Sequence, residues 1–256
     1  MLKAIIISDI HLGNPYSNWK QLELFLRQNP CKNLFLNGDI IDERYLQQNN
    51  KELSDDELSF FNWMIHIEST RTIYTIGNHE NFNDDYRITD EGRLWNKYKV
   101  RVYRDTIYYP DYPKCWSKYH ISHGHKTIFR NPITESPIIL KLIDSTIRII
   151  SKLRKYHSGI IFKSGDLNVH KGVEFEILAE NSRKFFKNGL KIVSRYRRKI
   201  RSYKNSYIGV ICGHIHDPEI KRISKILYLN SGDWLENNTA LIQKENDEWE
   251  IIKWEK

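Results

Sequence analysis

The sequence predicts an α/β fold in which two β-sheets pack as a sandwich. The first third of the chain alternates apolar, strand-like runs with amphipathic helices, which is typical of parallel strands joined by helical crossovers. Beyond residue 100 the pattern changes to short aromatic and β-branched runs, which indicates a second sheet. With 256 residues, of which 40% are hydrophobic and 28% charged, the chain is long enough for one elaborated domain with a substantial core.

Three buried strands and two helices are predicted in the first third of the chain. Ala4 to Ser8, Asn33 to Asn37 and Arg71 to Ile76 are short apolar runs of strand length. An apolar helical face follows Asn18, and a second helix begins with the acidic residues 55–57, which suit a helix N-terminus. Because strands and helices alternate, we expect these strands to be parallel.

Short strands are predicted on both sides of a long helical segment. Before it lie Val102 to Tyr103, Thr106 to Tyr109 and Trp116 to Ser122, interrupted by Pro110 and Pro113. After it, closely spaced runs predict a second sheet that completes the sandwich. These runs are Ile208 to Cys212, Glu219 to Ile223, Ile226 to Asn230, Thr239 to Gln243 and Trp249 to Trp254.

The helical segment, residues 126–205, is predicted to be an insertion within a single domain that spans residues 1–256. Its first part, Ile138 to Leu153, is apolar on more than one helical face, which indicates either a buried helix or a lid that meets an acyl chain or a membrane. Its second part carries ten lysines and arginines between Arg183 and Lys204, with no acidic residue among them. These ten positive charges exceed the formal net charge of the chain, which is +8, so the basic character belongs to this segment. Such a segment is either a solvated helix face or a surface that contacts an anionic partner.

Composition also limits where the protein works. The three cysteines, Cys31, Cys115 and Cys212, have no metal-binding or redox spacing and are expected to be reduced, buried thiols. The apolar run at the N-terminus is too short for a signal peptide, so a cytoplasmic location is expected. No stretch reaches the roughly 20 apolar residues that span a bilayer. The basic segment nevertheless predicts peripheral contact with the anionic inner face of the membrane.

Five short polar clusters are the main functional signal, because most of them directly follow a predicted strand. In open α/β sheets the ligand crevice lies at the carboxyl ends of the strands. Carboxylates, an amide oxygen and imidazoles suit Mn, Fe, Zn or similar divalent ions. The clusters therefore predict a two-metal hydrolytic site. They are Asp9 with His11, Asp39 with Asp42, Asn78 with His79 and Glu80, His123 with His125, and His214 with His216.

Spacing within the clusters indicates how the ligands are arranged. Asp9 and His11 are two residues apart, as are His214 and His216, so each pair would point to one side of an extended chain. The carboxylate of Asp39 has two oxygens and could bridge two cations that would otherwise repel each other. Each pair is therefore expected to face the site together.

The order and spacing of these clusters resemble the signature of the calcineurin-like metallophosphoesterases. The resemblance implies a four-layer αββα sandwich with two divalent metal ions, with Mn²⁺ expected and Fe, Zn, Co or Ni as alternatives. It covers the chain outside the insertion through Asp9-x-His11, Gly38-Asp39-x-x-Asp42, Gly77-Asn78-His79-Glu80, His123-Gly124 and Gly213-His214-x-His216. By matching position, one metal would be held by Asp9, His11 and His216, the other by Asn78, His123 and His214, and Asp39 would bridge them.

The resemblance also implies roles for residues beside the metals. A metal-bridging hydroxide would attack phosphorus directly, while His79 stabilises the equatorial oxygens or protonates the leaving oxygen. Asp42 would orient the His79 imidazole, and an N-cap of the following helix is an alternative role for the same carboxylate. Glu80 is expected to act behind the ligands rather than in catalysis. His125 is placed outside the ligand set, and whether it or His123 binds metal is left open.

The substrate prediction rests on a narrower resemblance. Residues 8–13, 213–219 and 228–242 resemble the UDP-2,3-diacylglucosamine diphosphatases of lipid A assembly, in which a helical insertion forms a lid over acyl chains. The expected reaction cleaves the pyrophosphate of such a nucleotide-sugar lipid to UMP and a lipid monophosphate. The alternative is a nuclease or nucleotide phosphodiesterase that binds nucleic acid or nucleotide through the basic insertion, where aromatic residues interleave the cations. The sequence leaves the oligomeric state open. The expected substrate-binding cations are Arg195, Arg198 and Lys199.

Overall fold

The computed structural model describes residues 1–80, 92–110, 118–125 and 206–255. The predicted insertion, residues 126–205, lies outside the described residues, and so do Arg195, Arg198 and Lys199. In chain order the described elements are β1 (Leu2–Ile7), α1 (Trp19–Gln28), β2 (Cys31–Asn37), α2 (Glu43–Gln48), α3 (Asp55–Ile65), β3 (Arg71–Thr75), β4 (Arg93–Trp95), β5 (Val100–Tyr103), β6 (Asp105–Tyr108), β7 (Tyr119–Ser122), β8 (Gly209–Cys212), β9 (Glu219–Ile223), β10 (Ile226–Asn230), β11 (Thr239–Gln243) and β12 (Trp249–Lys253).

The larger sheet has the strand order β12-β11-β1-β2-β3-β5-β4 in the part of the chain that the structure describes. Its centre is parallel, because β2 lies between β1 and β3 and pairs Phe35 with Ile6 on one side and with Ile73 on the other. The outer strands β4, β11 and β12 pair antiparallel with their neighbours. The parallel strands predicted in the first third are thus confirmed, with helices in their connections.

The smaller sheet has the order β6-β7-β8-β10-β9. Its three inner strands are parallel, and β6 and β9 pair antiparallel at its edges. The prediction that all runs after residue 100 form this second sheet is wrong for three strands. β5 pairs with β3, and β11 pairs with β1 and carries β12 with it, so all three belong to the larger sheet. Strand patterns reveal an extended segment but not its distant partner.

The two sheets pack face to face through alternate residues of their strands. In β1, Ala4 and Ile6 lie in a core that the smaller sheet shares through residues such as Ile121. Ile5 and Ile7 point to the opposite side, where α1 and α3 pack. Because both of its faces are covered, β1 is apolar at all four of these positions. The predicted α/β sandwich of two sheets is therefore confirmed. The fold class predicts a helical layer on each sheet, and the described residues include the layer on the larger sheet.

Short polar signals fix where two of the helices begin. At α3, the Glu57 N–H donates to Ser54 Oγ at 3.3 Å while the Ser54 N–H donates to Glu57 Oε2 at 2.9 Å, which is a capping box. The six-residue α2 has too little periodicity to be predicted from its own pattern, and the sequence indicated it only through the alternative N-cap role of Asp42. It begins after Asp42, whose carboxylate accepts a hydrogen bond from the Tyr45 N–H at 3.0 Å, so the alternative N-cap role is confirmed.

The predicted buried thiols are present at Cys31 and Cys212, and burial raises the pKa of each to about 12. Cys115 lies outside the described residues. Among the residues that the structure describes, no helix is both long and apolar enough to cross a membrane.

Candidate metal centre

The predicted ligands lie on loops that follow the carboxyl ends of strands from both sheets. Asp9 and His11 follow β1, Asp39 follows β2, and Asn78 follows β3, all in the larger sheet. His123 follows β7 in the smaller sheet, and residues 214–216 follow β8. Parallel strands end at the same edge of a sheet, so these loops converge where the two sheets meet.

The ligand atoms fall into two groups, each with its atoms within 4.8 Å of one another. The Asp9 set consists of Asp9, His11 and His216, and the Asp39 set consists of Asp39, His123 and His214. This division is the one that the positional resemblance implies. The prediction that His214 and His216 face the site together is confirmed only in part, because they serve different sets although they are two residues apart.

Each of the two carboxylates has one oxygen fixed by the backbone and one directed into the site. Asp9 Oδ2 accepts from the His214 N–H at 3.0 Å, and Asp9 Oδ1 lies 3.1 Å from His216 Nε2. Asp39 Oδ1 accepts from the His79 N–H at 2.7 Å. Its Oδ2 lies 3.2 Å from His123 Nε2 and 4.0 Å from His11 Nε2, which belong to different sets. Asp39 therefore has the position that a bridging ligand needs.

Buried polar atoms without a partner show that the site fits metal ions. Eight buried side-chain atoms of the described residues have no hydrogen-bond partner, and four of them lie together at the site: Asp9 Oδ1, His11 Nε2, Asn78 Oδ1 and His123 Nε2. The other four belong to His120, His125, Trp234 and Trp249. Leaving such a group unsatisfied costs about 1–3 kcal/mol, so several together in one place indicate a missing ligand. All four atoms at the site belong to the predicted ligand residues. Asn78 is thus a seventh candidate metal ligand beside the six residues of the two sets. Carboxylate, amide and imidazole ligands suit two divalent cations.

In the metal-free site, ionised carboxylates are paired with imidazoles that hold protons. Although burial raises it, the pKa of Asp9 falls to about 2 because of the neighbouring His216 and His123. The pKa of Asp39 is likewise held well below its usual range by His123 and His79 against the effect of burial. The same contacts with carboxylates outweigh burial and raise the pKa of His123 to about 10 and that of His216 to about 9. Metal binding must therefore displace protons from these imidazoles.

Asp42 connects the Asp9 set to His79. Its Oδ2 lies 3.1 Å from His11 Nδ1, and its Oδ1 accepts from His79 Nδ1 at 2.8 Å. Burial raises the pKa of Asp42, but the two imidazoles lower it far more, so the carboxylate is ionised. His11, Asp42 and His79 also form a group of ligand-type atoms, but their hydrogen bonds already use them. The predicted orienting role of Asp42 is consistent with this geometry, alongside its N-cap role.

Glu80 holds the backbone of the loop that carries Asp39. Its buried carboxylate accepts hydrogen bonds from the N–H groups of Asp39 at 2.9 Å and Ile40 at 2.6 Å, from the Gly77 N–H, and from the Tyr74 hydroxyl at 2.7 Å. Burial and the charge of Asp39 raise the pKa of Glu80 to about 7. The predicted role behind the ligands fits these contacts, because Glu80 joins the loops after β2 and β3.

The backbone at the ligands is in an unusual conformation. Asp9, His11 and Asp39 have φ near +53°, at 54°, 53° and 52°, and His214 and His216 have φ of 72° and 53°. These values lie in the left-handed region, which few residues other than glycine adopt. Asp9 and His11 do lie together, but the expected reason, an extended chain, is wrong. β1 ends at Ile7, and a turn brings the two side chains together.

Gly38 permits the turn that carries Asp39. Its φ is +81°, and a Cβ added at this position would lie 2.5 Å from His123 Cγ. This position therefore requires a residue without a side chain. The reason is specific to this site, because the missing side chain leaves room for a ligand from the other sheet.

His125 lies beside the Asp39 set but belongs to neither set. Its ring centroid is 5.4 Å from that of His123 and 6.2 Å from that of His214. Burial and the nearby His123 lower the pKa of His125 to about 3. Of the two histidines left open by the sequence, the geometry favours His123 as the ligand, since its Nδ1–H donates to the Asn37 carbonyl at 2.8 Å and its Nε2 faces Asp39.

Two residues near the site were missed by sequence reasoning. Arg44, in the first turn of α2, donates from Nη2 to the Asn78 carbonyl at 2.9 Å. Its charge also opposes the rise that Asp39 and Asp42 cause in the pKa of His79. Asp233, on the loop after β10, has a carboxylate oxygen 4.0 Å from His216 Nδ1. The position of Arg44 two residues after Asp42 is a usable signal, whereas nothing close to Asp233 in sequence relates it to His216.

Comparisons with solved structures give phosphoesterase folds at low sequence identity. An archaeal phosphodiesterase is 15% identical, with 98% of this chain and 99% of that chain covered and a TM-score of 0.46. Yfce, a phosphoesterase from E. coli, is 11% identical, with 99% and 100% covered and a TM-score of 0.46. A dimetal phosphatase from Danio rerio is 12% identical, with 98% of each chain covered and a TM-score of 0.43. Comparison with curated protein sequences finds no match.

A comparison with family models matches residues 2–218 to the family described as calcineurin-like phosphoesterase. The matched range contains all seven candidate ligands. Because the match spans most of the chain and the described residues form two sheets with two sets of metal-ligating side chains, the protein is a hydrolase that belongs to the calcineurin-like phosphoesterase family.

Proposed function

We propose that this protein is a two-metal phosphoester or pyrophosphate hydrolase in which the Asp9 set and the Asp39 set, together with Asn78, each hold one divalent cation. The observation that supports this most is the position of Asp39 Oδ2, 3.2 Å from His123 Nε2 and 4.0 Å from His11 Nε2. One carboxylate thereby serves both sets. Bound cations, with Mn²⁺ expected, would polarise phosphoryl oxygens and lower the pKa of an attacking water.

The residues around the two sets suit the remaining steps of hydrolysis. A bond forms between the water oxygen and phosphorus while the water loses a proton to solvent, and the bond from phosphorus to the leaving oxygen breaks. Although burial lowers it, the pKa of His79 is raised by Asp39 and Asp42, which favours the imidazolium. In this form Nδ1–H donates to Asp42 at 2.8 Å and Nε2–H can give its proton to the leaving oxygen. Arg44 uses one donor on the Asn78 carbonyl at 2.9 Å, and its guanidinium has further donors for phosphoryl oxygens.

For the substrate, we propose a nucleotide-sugar lipid of the UDP-2,3-diacylglucosamine type. The support comes from the sequence of the insertion, where apolar residues 138–153 precede basic residues 183–204. The apolar residues would take the fatty chains, and Arg195, Arg198 and Lys199 would take the diphosphate. The same cations would attract the protein to an anionic membrane surface, each contributing about 1 kcal/mol.

A nuclease or nucleotide phosphodiesterase is the second candidate. It is favoured by the aromatic residues that interleave the same basic segment, Phe185, Phe186, Tyr196 and Tyr203, since bases stack on aromatic rings while phosphates pair with cations. A polynucleotide substrate would make binding fall steeply with salt. A lipid substrate would instead make turnover depend on detergent or lipid.

The experiment that tests the function is product analysis by phosphorus NMR with the Mn²⁺-loaded protein. The substrates are UDP-2,3-diacylglucosamine, bis-p-nitrophenyl phosphate and single-stranded DNA, and the control is the same protein after chelation. UMP and a lipid monophosphate, formed with the highest kcat/KM, are expected. Turnover confined to the diester or to DNA would transfer the assignment to the second candidate, and no metal-dependent turnover of any of the three would contradict the hydrolase proposal.

The role of the insertion is tested by neutralising its cations. Changing Arg195, Arg198 and Lys199 together to Gln should raise KM for the lipid substrate at least tenfold while kcat for bis-p-nitrophenyl phosphate stays the same. The matched control changes the exposed Lys20, Lys32 and Lys253 to Gln, which removes equal charge far from the insertion in sequence. Equal losses in the two triple variants would show that only net charge matters.

A further inference from the structure

The loop between β10 and β11 is hydrogen-bonded to residues of the Asp9 set. The Trp234 N–H donates to the Asp9 carbonyl at 3.1 Å, and Asn237 Nδ2 donates to the His216 carbonyl at 2.8 Å. Asp9 and His216 both belong to the Asp9 set. Within the described residues, no hydrogen bond joins this loop to Asp39 or His123. The loop, residues 231–238, is therefore placed to act on the Asp9 set selectively.

The side chain of Asp233 occupies the centre of this loop and has no exposed surface. Its Oδ1 accepts from the N–H groups of Leu235 at 2.8 Å, Glu236 at 2.6 Å and Asn237 at 3.2 Å, which closes the turn. Its Oδ2 accepts from Asn237 Nδ2 at 2.5 Å and lies 4.0 Å from His216 Nδ1. One oxygen thus maintains the turn, while the other faces the imidazole.

The His216 ring has its two nitrogens directed to opposite partners. Nε2 lies 3.1 Å from Asp9 Oδ1, inside the Asp9 set, and Nδ1 is on the side of Asp233. An imidazole that ligates metal through one nitrogen is usually held in place through the other, by a carboxylate or a carbonyl. His11 is held in this way by Asp42 at 3.1 Å, and His123 by the Asn37 carbonyl at 2.8 Å. Asp233 Oδ2 is the carboxylate oxygen on the Nδ1 side of His216, at 4.0 Å, which is longer than a hydrogen bond but close enough for attraction between charges.

We propose that Asp233 is a positioning residue for His216 and sets the affinity of the Asp9 set for its cation, leaving the Asp39 set unaffected. Asn237 takes part by holding both Asp233 Oδ2 and the His216 carbonyl, which fixes the distance between carboxylate and imidazole. This inference rests on the proposed two-metal function. Removing the partner of a metal-ligating histidine typically weakens metal binding about 10- to 100-fold.

Asp233→Asn separates this role from the closing of the turn. Asparagine keeps a side-chain oxygen that can replace Oδ1 as the acceptor for the three N–H groups, and it is a good residue for such turns. The amide nitrogen would replace Oδ2, and it can neither accept from the imidazole nor attract a protonated or metal-bound ring. The matched control is Asn18→Ala, which removes the hydrogen bonds of Asn18 Nδ2 to the Leu235 carbonyl and Asn238 Oδ1, each 2.8 Å, and so loosens the same loop away from His216.

The experiment is equilibrium dialysis of the metal-free protein against a series of Mn²⁺ concentrations, with bound manganese measured by mass spectrometry. Wild type and Asn18→Ala should bind two Mn²⁺ per chain. Asp233→Asn should bind one Mn²⁺ with unchanged affinity and the second about 10- to 100-fold more weakly, while its urea midpoint without metal stays near that of wild type.

Three results distinguish the possible failures. Two unchanged affinities in Asp233→Asn would overturn the inference and leave the two-metal function standing. Equal weakening of both affinities, together with a urea midpoint lowered as in Asn18→Ala, would show that Asp233 only closes the turn. A wild-type protein that binds fewer than two Mn²⁺ would overturn the proposed function itself.

Discussion

At the scale of single residues, Asp42 shows how one buried carboxylate gives two imidazoles different tasks. Its two oxygens engage Nδ1 of His11 at 3.1 Å and Nδ1 of His79 at 2.8 Å. In both rings Nδ1 is thereby engaged by Asp42, and Nε2 is the nitrogen left to contact a metal ion or a substrate. His11 belongs to the Asp9 set, whereas His79 lies outside the Asp9 and Asp39 sets, and proton transfer is the role proposed for it.

His79→Ala should reduce kcat by about 100- to 10,000-fold, which is the usual contribution of a positioned proton donor. Metal content should stay at two ions per chain, because His79 is outside the Asp9 set and the Asp39 set. Turnover of p-nitrophenyl esters, whose leaving group needs little protonation, should fall less than turnover of alkyl esters. The measurement is kcat for both ester types with metal analysis on the same samples, and loss of metal in this variant would assign His79 to the ligands.

Glu80→Gln should destabilise the protein by about 1–3 kcal/mol, because the new amide group would face backbone N–H donors that now meet a carboxylate oxygen. Tyr74→Phe is the matched control, since it removes a single donor to Glu80 and should cost about 1 kcal/mol. Both values are measured as changes in the free energy of unfolding in urea without metal. Equal costs for the two variants would show that the backbone contacts of Glu80 contribute nothing.

The ligand residues could be predicted from the sequence because each is marked by its type and by its place after a strand. Asp233 could not, because its relation to His216 depends on the path of a loop that returns from β10. Arg44 was missed for a related reason. Its place two residues after Asp42 is a signal that it lies near the site, but only the structure shows that its guanidinium reaches the Asn78 carbonyl.

At the scale of elements, the site depends on how strands end rather than on the strands themselves. β1, β2 and β8 each end two residues before a ligand, and that ligand has its backbone in the left-handed region. Pattern analysis located these strands to within a few residues because their apolar runs are continuous. It could not assign β5, β11 and β12 to the larger sheet, because pairing is decided by contacts between distant segments.

Gly38→Ala should remove metal binding to the Asp39 set, since the added Cβ would lie 2.5 Å from His123 Cγ and φ is +81°. Gly13→Ala is the control, because Gly13 also has a positive φ, of +90°, but its Cβ would meet the side chain of Leu46. Both variants should lose stability, and only Gly38→Ala should lose bound Mn²⁺ in equilibrium dialysis. Retention of two ions in Gly38→Ala would mean that the loop can move to accommodate the methyl group.

At the scale of the whole molecule, metal binding and folding should be linked. The metal-free protein keeps two ionised carboxylates, Asp9 and Asp39, buried beside imidazoles, and the seven candidate ligands come from both sheets. Cations bound there would connect the loops of the two sheets directly. The metal-free and metal-bound forms are therefore expected to differ in stability more than in fold.

Mn²⁺ at about 100 times its dissociation constant should raise the free energy of unfolding by about 2.7 kcal/mol for each site. The measurement is the thermal midpoint as a function of Mn²⁺ concentration. In Asp39→Asn, which tolerates the backbone conformation at φ 52° but loses the bridging charge, the rise should be largely absent. An equal rise in this variant would place the stabilising cations elsewhere on the molecule.

The left-handed backbone at Asp9, His11, Asp39, His214 and His216 has a consequence for stability. Each of these residues costs about 1 kcal/mol or more relative to glycine in the same conformation. Six other described residues, among them Asn50, Lys99 and Asn238, have the same backbone conformation, and glycine would relieve the cost there without loss of a candidate ligand. At the five positions of the site, glycine would relieve the cost but remove a donor to metal, so stability and metal binding make opposite demands on the same residues.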